Sequence, residues 1–197
     1  MQPVQPGTGS PPLCRMLREK EDSSRSGNSG HGGVLVELKV PPPIVFLVTA
    51  ALMAVLAAGT PGLALPLPAA VRVTAAGGIF ALGVALGVLG LKAIHGARTT
   101  ADPRHPERAV VLVTGGVYRY TRNPMYLGLA TALLAWALWL DSAAALPGVP
   151  AFAAYITRFQ IIPEERALAA RFGKDYAAYC RSVRRWLPFP GHKTTRR

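Results

Sequence analysis

Acidic residues are scarce in this chain, and charge of either sign is thin. Ten Asp and Glu stand against 22 Lys and Arg, a net charge of +12, yet charged residues fill only 16% of the 197 positions. Soluble domains usually carry roughly 25%. A basic soluble protein would point to nucleic acid. Here the apolar residues come in long blocks and the basic ones lie between them, as in a membrane protein, so no nucleic-acid partner is expected. Cys14 and Cys180 are the only cysteines, too few and too far apart for a disulfide framework or a zinc site. His31, His95, His105 and His192 lack metal-ligand spacing, so no metal is expected. No Gly-x-Gly-x-x-Gly follows a strand pattern, which leaves a Rossmann-type cofactor site without support. No apolar core lies near Met1, which argues against a signal peptide there.

What is present is organised by four apolar blocks. Residues 1–40 precede them, rich in Pro, Gly and Ser with mixed charges such as Arg18, Glu19, Lys20, Glu21 and Asp22. Such a segment buries too little apolar surface to offset its ordering entropy, so disorder is expected, with Met16 as a second candidate start. Pro41-Pro42-Pro43 closes it. A bilayer core of about 30 Å needs roughly 20 helical residues. The first span, Ile44–Ala58, is uncharged and resumes through Leu63 and Leu65 after Gly59-Thr60-Pro61-Gly62. The second, Val73–Leu91, carries Gly83 and Gly87, a spacing that permits close helix contact. Met125–Leu140 and Ala143–Ile162 form a third and a fourth, joined by a turn at Asp141-Ser142 into a helical hairpin. The fourth is broken by Pro147, Gly148 and Pro150 and carries Arg158.

The basic residues agree with four spans. Five precede Pro41, five lie between His95 and Met125, and nine follow Pro163, while the two opposite connections hold none apart from Arg72. The positive-inside rule then puts both termini and the central loop on the cytoplasmic face. Pro163-Glu164-Glu165 reads as a further helix start running to Phe172, where Gly173 offers a left-handed stop. Tyr176, Tyr179, Cys180 and Val183 then share one face, the pattern of an amphipathic tail on an anionic membrane surface. The expectation is an all-α integral membrane protein with four transmembrane helices and an amphipathic cytoplasmic tail. Its parts are a disordered segment (1–40), two membrane helices (41–94) and a catalytic-type region (95–197).

The stretch from Thr114 to Gly128 is the centre of that last region. Asn123 is placed to cap a helix and Pro124 suits its first position. The first-turn amides, with Arg119 and Arg122 beside them, favour an anionic group. Two readings follow: a pocket, or a juxtamembrane loop whose arginines meet lipid head groups. Glu164 and Glu165 likewise either complement a helix start or bind a cationic ligand group. A zwitterion with separated ammonium and carboxylate suits both elements, provided that they meet on the cytoplasmic rim although some forty positions apart.

Leu112-Val113-Thr114-Gly115-Gly116-Val117-Tyr118-Arg119-Tyr120-Thr121-Arg122-Asn123-Pro124-Met125-Tyr126-Leu127-Gly128, then Glu164-Glu165, Phe172-Gly173-Lys174-Asp175-Tyr176 and Trp186-Leu187-Pro188, resembles the isoprenylcysteine carboxyl methyltransferase family, whose wider relatives include phospholipid N-methyltransferases. The likeness covers roughly residues 95–190. It implies an integral membrane enzyme that takes S-adenosylmethionine from the cytoplasm and methylates the carboxylate of a prenylated, isoprenylcysteine-like substrate or another lipid-like acceptor, with a phospholipid amine or a small thiol as the alternative. Leu112, Val113, Tyr118, Asn123, Pro124, Met125, Tyr126 and Glu165 are then the cofactor residues, Gln160 and Glu164 the substrate residues, and Glu164 and Arg122 the catalytic pair. A carboxylate acceptor needs no base; an amine or thiol must lose a proton, with Glu164 as the base. Two positions depart from the family: Asn123 stands where histidine is usual, and Gln160 where eukaryotic members place an arginine for the substrate carboxylate. A rival from another class is a membrane subunit or small transporter; the spans, however, hold no charges beyond Lys92 and Arg158 to mark a transport path.

Overall fold

The computed structural model describes residues 40–97 and 111–187. Residues 1–39, with their expected disorder, lie outside the described residues, as do most of the central loop's basic residues and the chain from Pro188 onward.

The described residues are helical, with no strand among them. Helix α1 spans Pro42–Gly59, entered from an extended Pro41 with proline in its first turn. Helix α2 spans Ala69–Gly96 and outruns the expected Val73–Leu91 at both ends. Both are long and apolar enough to cross a membrane, and only 11% and 17% of their most apolar windows are buried inside the protein. Leu47 and Val55, for instance, are 63% and 68% exposed. A soluble protein's core helix would hide such residues; these face outward.

Helix α3, Pro124–Trp139, packs along α2. Lipid tails are as apolar as leucine, so close backbone approach rather than hydrophobic transfer holds such helices together. Glycine provides it. A Cβ on Gly128 would lie 2.6 Å from the Gly83 carbonyl oxygen and 3.1 Å from the Gly87 nitrogen. A Cβ on Gly83 would come 2.8 Å from the Gly128 oxygen, whereas one on Gly87 meets nothing. Helix α1 joins this pair through the Trp136 indole N–H, which donates to the Ala50 carbonyl at 3.0 Å. Met53, Tyr126, Leu133, Phe152, Ile156 and Ile161 form the buried centre.

The α1–α2 connection and the turn that follows α3 meet at one end of the bundle. Asp141, with φ of +54°, accepts from the Leu65 N–H at 3.1 Å and pairs with Arg72 at 3.3 Å. Arg72 also donates to the last carbonyls of α3, Leu138 and Trp139. The Ala143 N–H reaches the Leu63 carbonyl at 2.8 Å.

The second half of the hairpin departs from expectation. It begins as a 3-10 turn, Ala143–Ala145, and becomes helix α4 only over Gly148–Ile156. Pro150 falls in the first turn of α4, where its missing N–H is not needed. A π-turn, Thr157–Ile161, follows, and helix α5 spans Ile162–Ser182. Pro163 therefore does not restart a helix after a break: Ile161 and Ile162 already have helical dihedrals. The Ile162 N–H bonds back to the Thr157 carbonyl, and the widened turn accommodates a proline that would otherwise press on the preceding turn. Gly173 does take positive φ (+49°), but it bends α5 without ending it. The Tyr176, Tyr179, Cys180 and Val183 face is also corrected: it is buried inside the protein against Leu112, Leu168 and Phe172, and so is not presented to a membrane surface.

Candidate functional site

At the end of the bundle away from Asp141, the chain enters α3 through a tight turn. Gly116 takes a φ of +58° and opens a 3-10 turn, Gly116–Arg119. That turn sends Tyr118 inward, where its carbonyl accepts from the Tyr179 hydroxyl at 2.8 Å, and leaves Tyr120 65% exposed. Pro124 and Met125 then lie against Gly90 of α2, where a Cβ would come within 3.0 and 3.1 Å of their side chains.

Asn123 occupies the cap position of α3, but its side chain does not cap. Its Nδ2 donates instead to the Arg185 carbonyl at 3.0 Å. Thr121 Oγ1 donates to the same carbonyl and accepts from the Asn123 N–H, both at 3.2 Å. The Arg122 N–H donates to the Arg184 carbonyl at 3.0 Å. The segment after α5 has left helical geometry, so its carbonyls need donors from elsewhere, and this turn supplies them. No side chain caps the start of α3.

Two glutamates come to this turn from α5, and they go to different neighbours. Residues one apart on a helix do not share a face. Glu165 is 3% exposed and lies between two arginines. Arg122 Nη2 is 3.1 Å from its Oε1, while Arg185 donates through Nε at 3.1 Å and Nη2 at 2.6 Å. Burial is the largest single influence on Arg122 and opposes its charge, but Glu165 together with Cys180, Tyr176 and Tyr179 holds the guanidinium above its ordinary pKa. Arg122 also touches the buried Cys180 thiol. It is thus not a bare cation awaiting an anion.

Glu164 turns the other way. Its Oε1 accepts from the Tyr126 hydroxyl and from Gln160 Nε2, the latter at 2.9 Å. Among the described residues no cation pairs with it. Burial pushes its carboxyl up to about 7, against the hydrogen bonds of Tyr126 and Gln160 and with help from the Glu165 charge. Tyr118 is close enough that, after burial, Glu164 is the next cause raising its hydroxyl pKa. Burial likewise raises Tyr176 and Tyr179, so all three phenols stay neutral.

Tyr118, Tyr126, Gln160 and Glu164 are therefore brought together, with Pro124 and Met125 at the α2 contact beside them. Asn123, Arg122 and Glu165 form an adjoining network. Leu112 packs against the Tyr176 and Tyr179 group, and Val113 is half-buried next to it in sequence. Sequence reasoning passed over Thr157 and Arg185 and gave no site role to Thr121 and Trp186, which it met only as motif residues. Arg185 is one of nine basic residues after Pro163 and had nothing to set it apart; only the lone tryptophan of that stretch was a signal. Two apolar grooves of about 500 and 520 Å³ run between the helices, one beside Trp136 and Phe80 and one beside Leu52 and Tyr155, and neither includes these residues.

Outward-facing apolar helices with a polar, partly buried cluster at one end define a membrane-type protein with a rim site. The chain belongs to the phospholipid methyltransferase family, whose model matches residues 71–175, from the foot of α2 through the glutamates to α5. It is also similar to an uncharacterized protein of Haemophilus influenzae, 49% identical over 63 residues, which are 32% of this chain and 100% of that one.

Proposed function

We propose that this protein is a four-span integral membrane enzyme that transfers a methyl group from S-adenosylmethionine to the amine of a phospholipid head group at the cytoplasmic rim. The observation that carries the reading is Glu164: a partly buried carboxyl without a cationic partner among the described residues, held by Tyr126 and Gln160 beside Tyr118. A carboxyl among neutral phenols suits a cationic group, whether sulfonium or ammonium. S-adenosylmethionine supplies a methyl group already activated on a sulfonium. Tyr118, Asn123, Pro124, Met125 and Tyr126 would hold it, with the uncapped start of α3 for its carboxylate.

Glu164 has the chemistry of a base here. An ammonium acceptor must shed a proton before its nitrogen can take a methyl group, and a carboxyl titrating near 7 can receive that proton near neutral pH. A carboxylate acceptor of the isoprenylcysteine kind would instead need a cation. The two arginines of this site are already engaged by Glu165, which disfavours that acceptor. The third and fourth spans are α3, 16 residues, and α4 with its π-turn, both shorter than roughly 20 residues. The division into 1–40, 41–94 and 95–197 and the cytoplasmic placement of both termini belong to this reading.

Calorimetry of the purified protein in detergent with S-adenosylmethionine and its demethylated product tests it, repeated on Glu164→Ala and Tyr126→Ala. Binding by the parent and weaker binding by both variants are expected. Absence of binding by the parent removes the enzyme reading; equal binding by all three moves the site. Vesicles with primary-amine and with carboxylate head groups then decide the acceptor.

A further inference from the structure

The segment Arg184–Trp186 touches both halves of the site within three residues. Its carbonyls take the Arg122 N–H, the Thr121 hydroxyl and the Asn123 amide. Its Arg185 side chain grips Glu165, and the Trp186 indole N–H donates to Thr157 Oγ1 at 3.0 Å. Thr157 opens the π-turn and donates its own hydroxyl hydrogen to the Ala153 carbonyl at 2.6 Å. Gln160, 3% exposed, lies in that same turn and donates to Glu164 four residues on. A turn closed by i→i+5 bonds holds more residues than an α-turn, and π-turns concentrate at functional positions.

We propose that Thr157 and Trp186 are positioning residues for methyl transfer: the hydrogen bond between them straps the segment after α5 onto the π-turn and fixes where Gln160 and Glu164 stand relative to Tyr126. This rests on the methyltransferase reading above. The Thr157 hydroxyl is used as acceptor and donor at once, so its oxygen, not its methyl group, sets the turn. Trp186 shares the strap's backbone with the residues that hold the Asn123 turn, so displacing it loosens the register of one half of the site against the other.

The test sets Thr157→Ser, which keeps the oxygen, against Thr157→Val, which keeps the shape, with Trp186→Phe and the Thr157→Val/Trp186→Phe double. Methyl transfer is measured from labelled S-adenosylmethionine to primary-amine phospholipid vesicles. Thr157→Val and Trp186→Phe are each expected to lower kcat about tenfold with KM for the cofactor little changed, the double no further, and Thr157→Ser about twofold at most. Serine as impaired as valine, or valine unimpaired, overturns the proposal. A second measurement needs no turnover: the infrared carbonyl band of the Glu164 carboxyl, taken below its pKa of about 7 and identified by its loss in Glu164→Gln. That band should move in Thr157→Val and Trp186→Phe but not in Thr157→Ser; a band unmoved in every variant also overturns the strap. A parent that transfers no methyl to any acceptor sinks the enzyme reading, while the infrared band still decides the strap.

Discussion

Replacing Glu165 by glutamine keeps the shape of the side chain and removes the charge that two arginines share. The cost falls unequally on them. Arg185 is 23% exposed at its side chain and can turn toward water. Arg122 is 6% exposed and, among the described residues, keeps neutral thiol, phenol and amide groups beside its guanidinium. Breaking a buried pair so that one charge is left uncompensated costs about 3–5 kcal/mol, a large part of a typical folding free energy. For a chain of this length that corresponds to a fall in Tm of roughly 6–20 °C. Exchanging both partners for apolar groups is a different perturbation, because the desolvation cost of the pair disappears with it. Arg122→Met/Glu165→Leu is therefore expected within about 1 kcal/mol of the parent. Thermal unfolding of the three proteins in one detergent at fixed pH and ionic strength measures both quantities. A Glu165→Gln variant within about 1 kcal/mol of the parent, or a double variant less stable than the single one, would refute the assignment of Glu165 as the buried counter-charge.

Three further outcomes follow from the same geometry. Glu164 is held at about 7 in the fold against an ordinary 4.5, so its contribution to stability is complete below about 4.5 and is lost as pH rises to about 7. Glu164→Gln, neutral throughout, should match the parent in acid and exceed it by ~3 kcal/mol above pH 7; equal stability there counts against the buried carboxyl. Gly128→Ala must push α2 from α3 and should cost about 1–3 kcal/mol, whereas Gly87→Ala, with open space at its Cβ, should be tolerated; equal effects would mean that the helices do not meet at Gly128. Cysteines at Leu63 and Tyr120, both exposed and at opposite ends of the bundle, should label from opposite sides of a sealed vesicle, and same-side labelling contradicts the spans.

Much of the fold was legible because membrane helices are announced by composition: a run without charge from Ile44 to Ala58 is what a hydrocarbon surrounding demands of a helix. The Asn123-Pro124 helix start and the approach of the glutamates to it were also readable, from residue chemistry and a family likeness. What escaped was governed by partners distant in the chain. Asn123 has the chemistry of a cap, yet the carbonyl of Arg185, 62 residues on, claims its amide. The Tyr176 and Tyr179 face has the periodicity of a membrane-surface helix, but periodicity identifies an apolar face without saying what covers it. The π-turn left no pattern of its own; only Pro163, read as a helix start, marked where an ordinary turn would be strained.

On the proposed reading, the adjacent glutamates decide what the rim can accept. Helical geometry sends neighbouring side chains about 100° apart, so one acid was bound to face inward and the other aside. Glu165 faces the arginines and silences them; Glu164 faces a tyrosine and stays without a counter-ion among the described residues. The local balance therefore favours a cation in the ligand. An acceptor bearing a carboxylate would have to draw Arg122 away from Glu165, at a cost comparable to breaking that pair. In Glu165→Gln that cost has already been incurred, so a carboxylate acceptor should bind the variant more tightly than the parent, while an amine acceptor should not.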